Sequence, residues 1–164
     1  MLQKKQKGDC MITMSTELPK YKILMTDCIF QDQNIERRLL AEIGAELVLA
    51  PSKDEDTLVG LAHGVDGILV TYAELTAKVI KACTKCRIIT RTGIGYNNID
   101  VAAANECGIM VSNVPDYCID EVADHTLALI LACLRKIPLL SASVKNGQWN
   151  INLARPIPRL NTLT

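Results

Sequence analysis

The stretch "IITRTGIGYNNID", Ile88 to Asp100, holds the residues best placed to do chemistry. An apolar run ends at Thr90-Arg91 and Gly93-Ile94-Gly95 follows. Glycines between a strand and a helix let backbone N–H groups close on a phosphate. Two readings stand. One is a dinucleotide fingerprint, with Asp116 beyond the next strand as its ribose-binding acid; the other is a glycine turn that ends a strand. Against the first, Asn98 occupies the third glycine position and several strand–helix units come before the motif. A second cluster, "CTKC" from Cys83 to Cys86, has the spacing of a metal knuckle or a redox pair. Zinc needs two further ligands, and no second CxxC or HxxxH exists, so two separate thiols are expected. The two histidines stand apart: His63, near a helix end, is expected at the surface, and His125 falls in a long helix.

These residues need a scaffold, and the hydrophobic pattern supplies one. "YKILMTD", Tyr21 to Asp27, is a short apolar run ending in turn-prone polar residues. "NIERRLLAEIG", Asn34 to Gly44, puts Ile35, Leu39, Leu40 and Ile43 on one helical face before a capping glycine. The alternation recurs, with strands at Glu46–Leu49, Gly67–Val70, Arg87–Arg91 and Ile109–Ser112. Helices fall at Asp54–Ala62, Thr76–Cys83 and Val101–Cys107. Apolar strands separated by helix-length segments need crossovers, which predicts an α/β fold: a doubly wound, flavodoxin-like parallel five-stranded sheet covered on both faces. Ligands of such sheets bind beyond the carboxyl ends of the strands, here just after Val70, Arg91 and Ser112. A phosphoacceptor receiver shares this plan but needs an aspartate ending the third strand and a lysine after the fifth. Those places read Val70-Thr71 and Asn113-Val114-Pro115, so that class is discarded.

"DEVADHTLALILACLRKIP" then opens with Asp120, Glu121 and Asp124 and closes with Arg135, Lys136 and Pro138, a charge order that suits one helix. From Thr126 to Leu134 it is apolar around its circumference, so it is expected to be enclosed by further protein, a subunit interface or a neighbouring domain. Its longest apolar run, Leu127 to Leu134, is well short of the roughly 20 residues of a membrane span.

Composition narrows the partners. The 164 residues have no net charge, which gives no electrostatic case for nucleic acid or an anionic membrane. Seven cysteines, an odd number without scaffold spacing, point to a reducing, cytoplasmic setting. The start carries Lys4, Lys5 and Lys7 without an apolar run behind them, so a flexible arm over 1–20 is expected in place of a signal peptide. Near the other end, Pro156 and Pro158 exclude helix and Thr162-Leu163-Thr164 favours extended backbone, as on the approach to a strand.

The block "RTGIGYNNIDVAAANECGIMVSNVPDYCIDEVADHTLALILACLRKI", followed by "GQWN" and "RPIPRL", resembles the D-isomer-specific 2-hydroxyacid dehydrogenases, the group that includes phosphoglycerate dehydrogenases and the C-terminal-binding proteins. The resemblance runs from about Tyr21 to the end. It implies a substrate domain over 21–117, then interdomain helices and the start of an NAD-binding domain over 118–164. The Rossmann domain itself would begin just after Arg159-Leu160, so Thr164 is expected to be a truncation point. The implied activity is reversible hydride transfer between NAD(H) and a 2-hydroxy or 2-keto acid. The alternative within the same group is a non-catalytic, dinucleotide-linked binding protein of the C-terminal-binding type.

Site residues follow from the resemblance alone. The loop Thr71-Tyr72-Ala73-Glu74 is similar to the segment whose backbone amides hold the substrate carboxylate in relatives, its other reading being an ordinary strand-end loop. Arg91, with Gly93 beside it, matches a substrate-binding position, or else forms a structural ion pair. Ile94, Asn97 and Thr126 match the cofactor side, and Thr126 has the alternative of bonding back to its own helix. Cys118 stands where some relatives place an asparagine near the substrate. The family's catalytic arginine, histidine and carboxylate lie in its later domain and have no counterpart here, so the 164 residues alone are expected to be inactive and to bind NAD weakly or not at all. No metal is expected. Self-association, as a homodimer through 120–150, is.

Overall fold

The computed structural model describes residues 20–162. Apart from Lys20, the expected arm over 1–20 therefore lies outside the described residues. The chain forms two compact units, one ending at Pro115 and one beginning at Asp116.

The first unit alternates strand and helix throughout: β1 (Tyr21–Met25), α1 (Asn34–Glu42), β2 (Ala45–Leu49), α2 (Glu55–Ala62), β3 (Gly67–Val70), α3 (Ala77–Lys81), β4 (Ile88–Arg91), α4 (Val101–Glu106) and β5 (Met110–Ser112). All five strands are parallel, in the order β2-β1-β3-β4-β5. This is the flavodoxin-like plan that the apolar runs predict. The helices start where the sequence offers a cap. Asp54, Thr76 and Asp100 each accept a hydrogen bond from the N–H three residues on, at Thr57, Val79 and Ala103. Gly44 ends α1 at φ 69°, a conformation that costs a residue with a Cβ.

Strand alternation divides the sheet's side chains between two faces. Leu24, Ile68, Val70 and Ile89 lie in one buried cluster with Leu58, Val79, Ile80, Ala103 and Ala104 of α2, α3 and α4. Each large aliphatic side chain buried this way contributes roughly 1.5–3 kcal/mol. On the other face, Ile23 and Ile88 close over Gly67, where an added Cβ would meet them at 3.1 and 3.3 Å.

Coverage of that second face is uneven. Met25, Ala45 and Leu47 are buried, whereas Ile88 and Met110 are 36% and 64% exposed. Helix α1 lies along β2, and none of its residues is buried. Of the apolar stripe expected to face the core, Ile35, Leu39 and Ile43 are exposed and Leu40 is half-buried. A single nine-residue helix is too narrow to cover five strands, and within the first unit no other described helix lies over the β3–β5 half of this face.

The second unit consists of α5 (Ile119–Leu134), α6 (Ile137–Lys145) and two 3₁₀ turns, Ile151–Ala154 and Leu160–Thr162. Lys136 breaks the helical run at φ 56°, and Pro138 falls in the first turn of α6, where its missing N–H costs nothing. Helix α5 has no buried residue, and Leu127, Leu129, Ile130 and Leu131 are exposed. The expected extended approach at Thr162–Thr164 is a 3₁₀ turn as far as Thr162, and the rest lies outside the described residues. Among the described residues no single helix is long and apolar enough to cross a membrane; α5 and α6 are bent by 62° to one another.

Candidate functional site

In a β2-β1-β3-β4-β5 sheet the crossovers leaving β1 and β3 diverge, opening a crevice beyond their carboxyl ends. The residues that reach this crevice are Asp27 after β1, Thr71 to Ala73 after β3 and Thr92 after β4. Asp27 is the residue that sequence reasoning missed. Its Oδ1 accepts the N–H of Thr71 at 3.1 Å and of Ala73 at 3.3 Å, and its Oδ2 accepts the N–H of Tyr72 at 2.7 Å. The Thr26 hydroxyl donates to Oδ1 at 2.7 Å. Partial burial pushes the Asp27 carboxyl up, but the Thr26 hydroxyl and the three amides together outweigh it and hold it below the ordinary aspartate value.

The Thr71–Ala73 amides, expected to receive a substrate carboxylate, are thus already engaged by a carboxylate of the chain itself. Thr71 also ties its loop to the next. Its hydroxyl lies 2.7 Å from that of Thr92. The Asn98 side-chain amide donates to the Ala73 carbonyl at 2.8 Å, and Leu75 pairs with Ile99 in an isolated bridge. The two loops therefore form one clamped rim. Glu74 and Tyr72 are exposed on it.

Arg91, the last residue of β4, folds its guanidinium back over Gly93, where a Cβ would overlap it. Its Nε is buried without a hydrogen-bond partner. The Gly93 N–H is used by the Arg91 carbonyl, but among the described residues the N–H groups of Ile94 and Gly95 have no acceptor. Asn113 holds the turn by donating to the Ile94 carbonyl at 2.8 Å. Beside it a pocket of about 300 Å³ is lined by Tyr96, Val101, Val111, Ser112 and Asn113. Arg91 and Gly93 therefore share a turn with Ile94 and Asn97, both of them exposed. Among the described residues Arg91 forms no ion pair.

The glycine turn forms no pyrophosphate cradle. Helix α4 does not begin at the glycines, and its N-terminal Ala103 N–H is taken by the Asp100 carboxylate at 2.9 Å, which would repel a pyrophosphate. The Gly93-Ile94-Gly95 segment is a strand-ending turn. Thr126 lies in the second unit, and its hydroxyl donates to the Val122 carbonyl at 2.6 Å, the back-bonded alternative. Asp116 and Cys118 also fall in that unit.

His63, the residue ending α2, and His125 of α5 are exposed. Cys83 and Cys86 are free thiols. The neighbouring Cys86 thiol, with burial, pushes the Cys83 thiol up, while Cys83 draws Cys86 down. No group of three or more His, Cys, Asp or Glu among the described residues is arranged to hold a metal ion.

Residues 23–160 match the family defined as D-isomer specific 2-hydroxyacid dehydrogenase, catalytic domain. The D-3-phosphoglycerate dehydrogenase of Methanocaldococcus jannaschii is 38% identical over 130 residues, which is 79% of this chain and 24% of that protein. Among solved structures, the NAD⁺-bound 3-phosphoglycerate dehydrogenase of Entamoeba histolytica has a TM-score of 0.62 at 29% identity, covering 71% of this chain and 40% of that one. The D-lactate dehydrogenase of Aquifex aeolicus, complexed with NAD and lactic acid, has a TM-score of 0.71 at 21% identity, covering 83% and 40%, and shows the shared fold. The chain thus spans about a quarter of the curated relative and two fifths of each solved one.

Proposed function

Since this chain belongs to the D-isomer specific 2-hydroxyacid dehydrogenase family, we propose that its first unit is the substrate side of an NAD-dependent dehydrogenase interconverting a 2-hydroxy acid and its 2-keto acid. One observation carries this reading. At the carboxyl end of β4, Arg91 has a buried Nε without a partner, and the next turn offers unpaired N–H groups at Ile94 and Gly95. A guanidinium beside free backbone donors is a receptor for a small carboxylate. Arg91 and the turn at Gly93 would take the acid's charge. Thr71, Tyr72, Ala73 and Glu74 would form the opposing rim, lending shape, because the amides of Thr71, Tyr72 and Ala73 are spent on Asp27.

The cofactor in this reading is NAD: the family resemblance gives Ile94, Asn97 and Thr126 as its contacts, and the glycine turn does not hold its pyrophosphate. By themselves, then, the 164 residues turn over no substrate. The exposed apolar surface of α5 supports a homodimer through 120–150. The free cysteines support a reducing, cytoplasmic setting.

The test is NADH oxidation by the protein at its natural length with a panel of 2-keto acids, beginning with 3-phosphohydroxypyruvate and pyruvate. Turnover of one of them, lost in Arg91→Ala through a raised KM, is the expected result. Absence of turnover with every keto acid, in protein that binds NADH, would overturn it.

A further inference from the structure

We propose that Asp27 is a positioning residue that acts as a built-in anion: its carboxylate fills a cradle of three successive backbone N–H groups and thereby sets the shape of the substrate rim. The effect on catalysis rests on the dehydrogenase reading above. The structural effect does not.

A carboxylate offers about four acceptor positions, and here they meet four donors. Oδ1 takes Thr26 Oγ1 and the amides of Thr71 and Ala73, and Oδ2 takes the amide of Tyr72. Among the described residues no lysine or arginine pairs with Asp27, and backbone dipoles and one hydroxyl balance its charge. A surface aspartate would keep its water. This one is held by a loop 44 to 46 residues away in the chain, across the switch point of the sheet.

The loop's other ties, Thr71 to Thr92 and Asn98 to the Ala73 carbonyl, leave the N–H groups of Thr71, Tyr72 and Ala73 to Asp27 alone. Ala73 and Leu75 anchor it by burial, and Tyr72 projects outward. Without the carboxylate, three N–H groups would converge with nothing to accept them, and the loop would have to open or recruit an anion. Its shape is passed on by the Thr71 hydroxyl to Thr92 and by the Ala73 carbonyl to Asn98. Asp27 therefore sets the rim that faces the Arg91–Gly95 turn without itself being free to touch a substrate.

The consequence is specific. Removing the carboxylate should leave an anion hole of formate size, and formate should restore what the mutation removes. The experiment uses protein at its natural length, with the Thr71, Tyr72 and Ala73 amide resonances followed by ¹⁵N–¹H TROSY. In Asp27→Ala these three are expected to shift or broaden. Added formate should return them toward their wild-type positions in a saturable way that chloride at equal ionic strength does not reproduce. The KM for the keto acid should rise about tenfold, with kcat little changed, and fall again with formate.

Asp27→Asn serves if the alanine variant does not fold. It keeps the side chain's size but sets an NH₂ either against the Tyr72 N–H or against those of Thr71 and Ala73, so the amide or amides on that side must move. Unmoved amides in either folded variant, or a formate response no different from chloride, would overturn the proposal. Wild-type protein inert toward every keto acid would remove the dehydrogenase reading, while the amide shifts would still decide the role of Asp27.

Discussion

The Arg91 guanidinium occupies the space that a side chain at Gly93 would need. The two positions are thus a unit: a glycine is required two residues past the arginine for the guanidinium to fold back along its own turn. Gly93→Ala should expel the guanidinium and leave the strand intact, since the overlapping atoms are the far end of a flexible side chain. The expected outcome is a rise in keto-acid KM of about tenfold, resembling Arg91→Ala, with thermal stability within about 1 kcal/mol of wild type. Steady-state kinetics beside a denaturant titration checks it. A large loss of stability without a change in KM would show that the pair is structural.

Acid should weaken the first unit through Asp54 as well as Asp27. The Asp54 carboxyl is lowered from 3.8 to about 2 by hydrogen bonds from Ser52 and from the Thr57 backbone and side chain. A group depressed on folding stabilises fully above its unfolded value and loses that contribution as pH falls through the folded one. Asp54→Ala should therefore be less stable than wild type near neutrality, and the gap should close between pH 4 and about 2. Urea midpoints at several pH values test this. A gap independent of pH would mean that the carboxylate's charge plays no part in the cap.

The two apolar surfaces of the first unit should respond differently to truncation. Ile68→Ala opens a cavity in the packed cluster and should cost about 2–5 kcal/mol. Leu39→Ala removes a side chain that is 51% exposed on α1 and should change stability by no more than about 0.5 kcal/mol. Equal losses at the two sites would mean that the α1 stripe is covered in solution.

Local chemistry made most of the scaffold legible. Apolar runs such as Gly67–Val70, the caps at Thr76 and Asp100, and the glycine after α1 act over a few residues, so the strand and helix order could be derived from them. Helix α1 shows the limit of that reasoning. The stripe of Ile35, Leu39 and Ile43 is plain in the sequence, but whether anything lies against it depends on how far one helix can reach across a sheet.

The site divides in the same way. Arg91 and Gly93 are two residues apart, and the resemblance pointed to both, as it did to the loop at Thr71–Glu74. The failure of Gly93-Ile94-Gly95 as a phosphate loop was also readable, from Asn98 in place of a glycine. What lay beyond the sequence was the partner of that loop. Asp27 ends a strand in "LMTD" like many turn residues, and only the β1–β3 adjacency brings it to amides 44 to 46 positions later. Periodicity and capping are set by neighbours in the chain. Which carboxylate meets which amide is set by strand order, and strand order is decided by how the helices and strands pack together, not by neighbours in the chain.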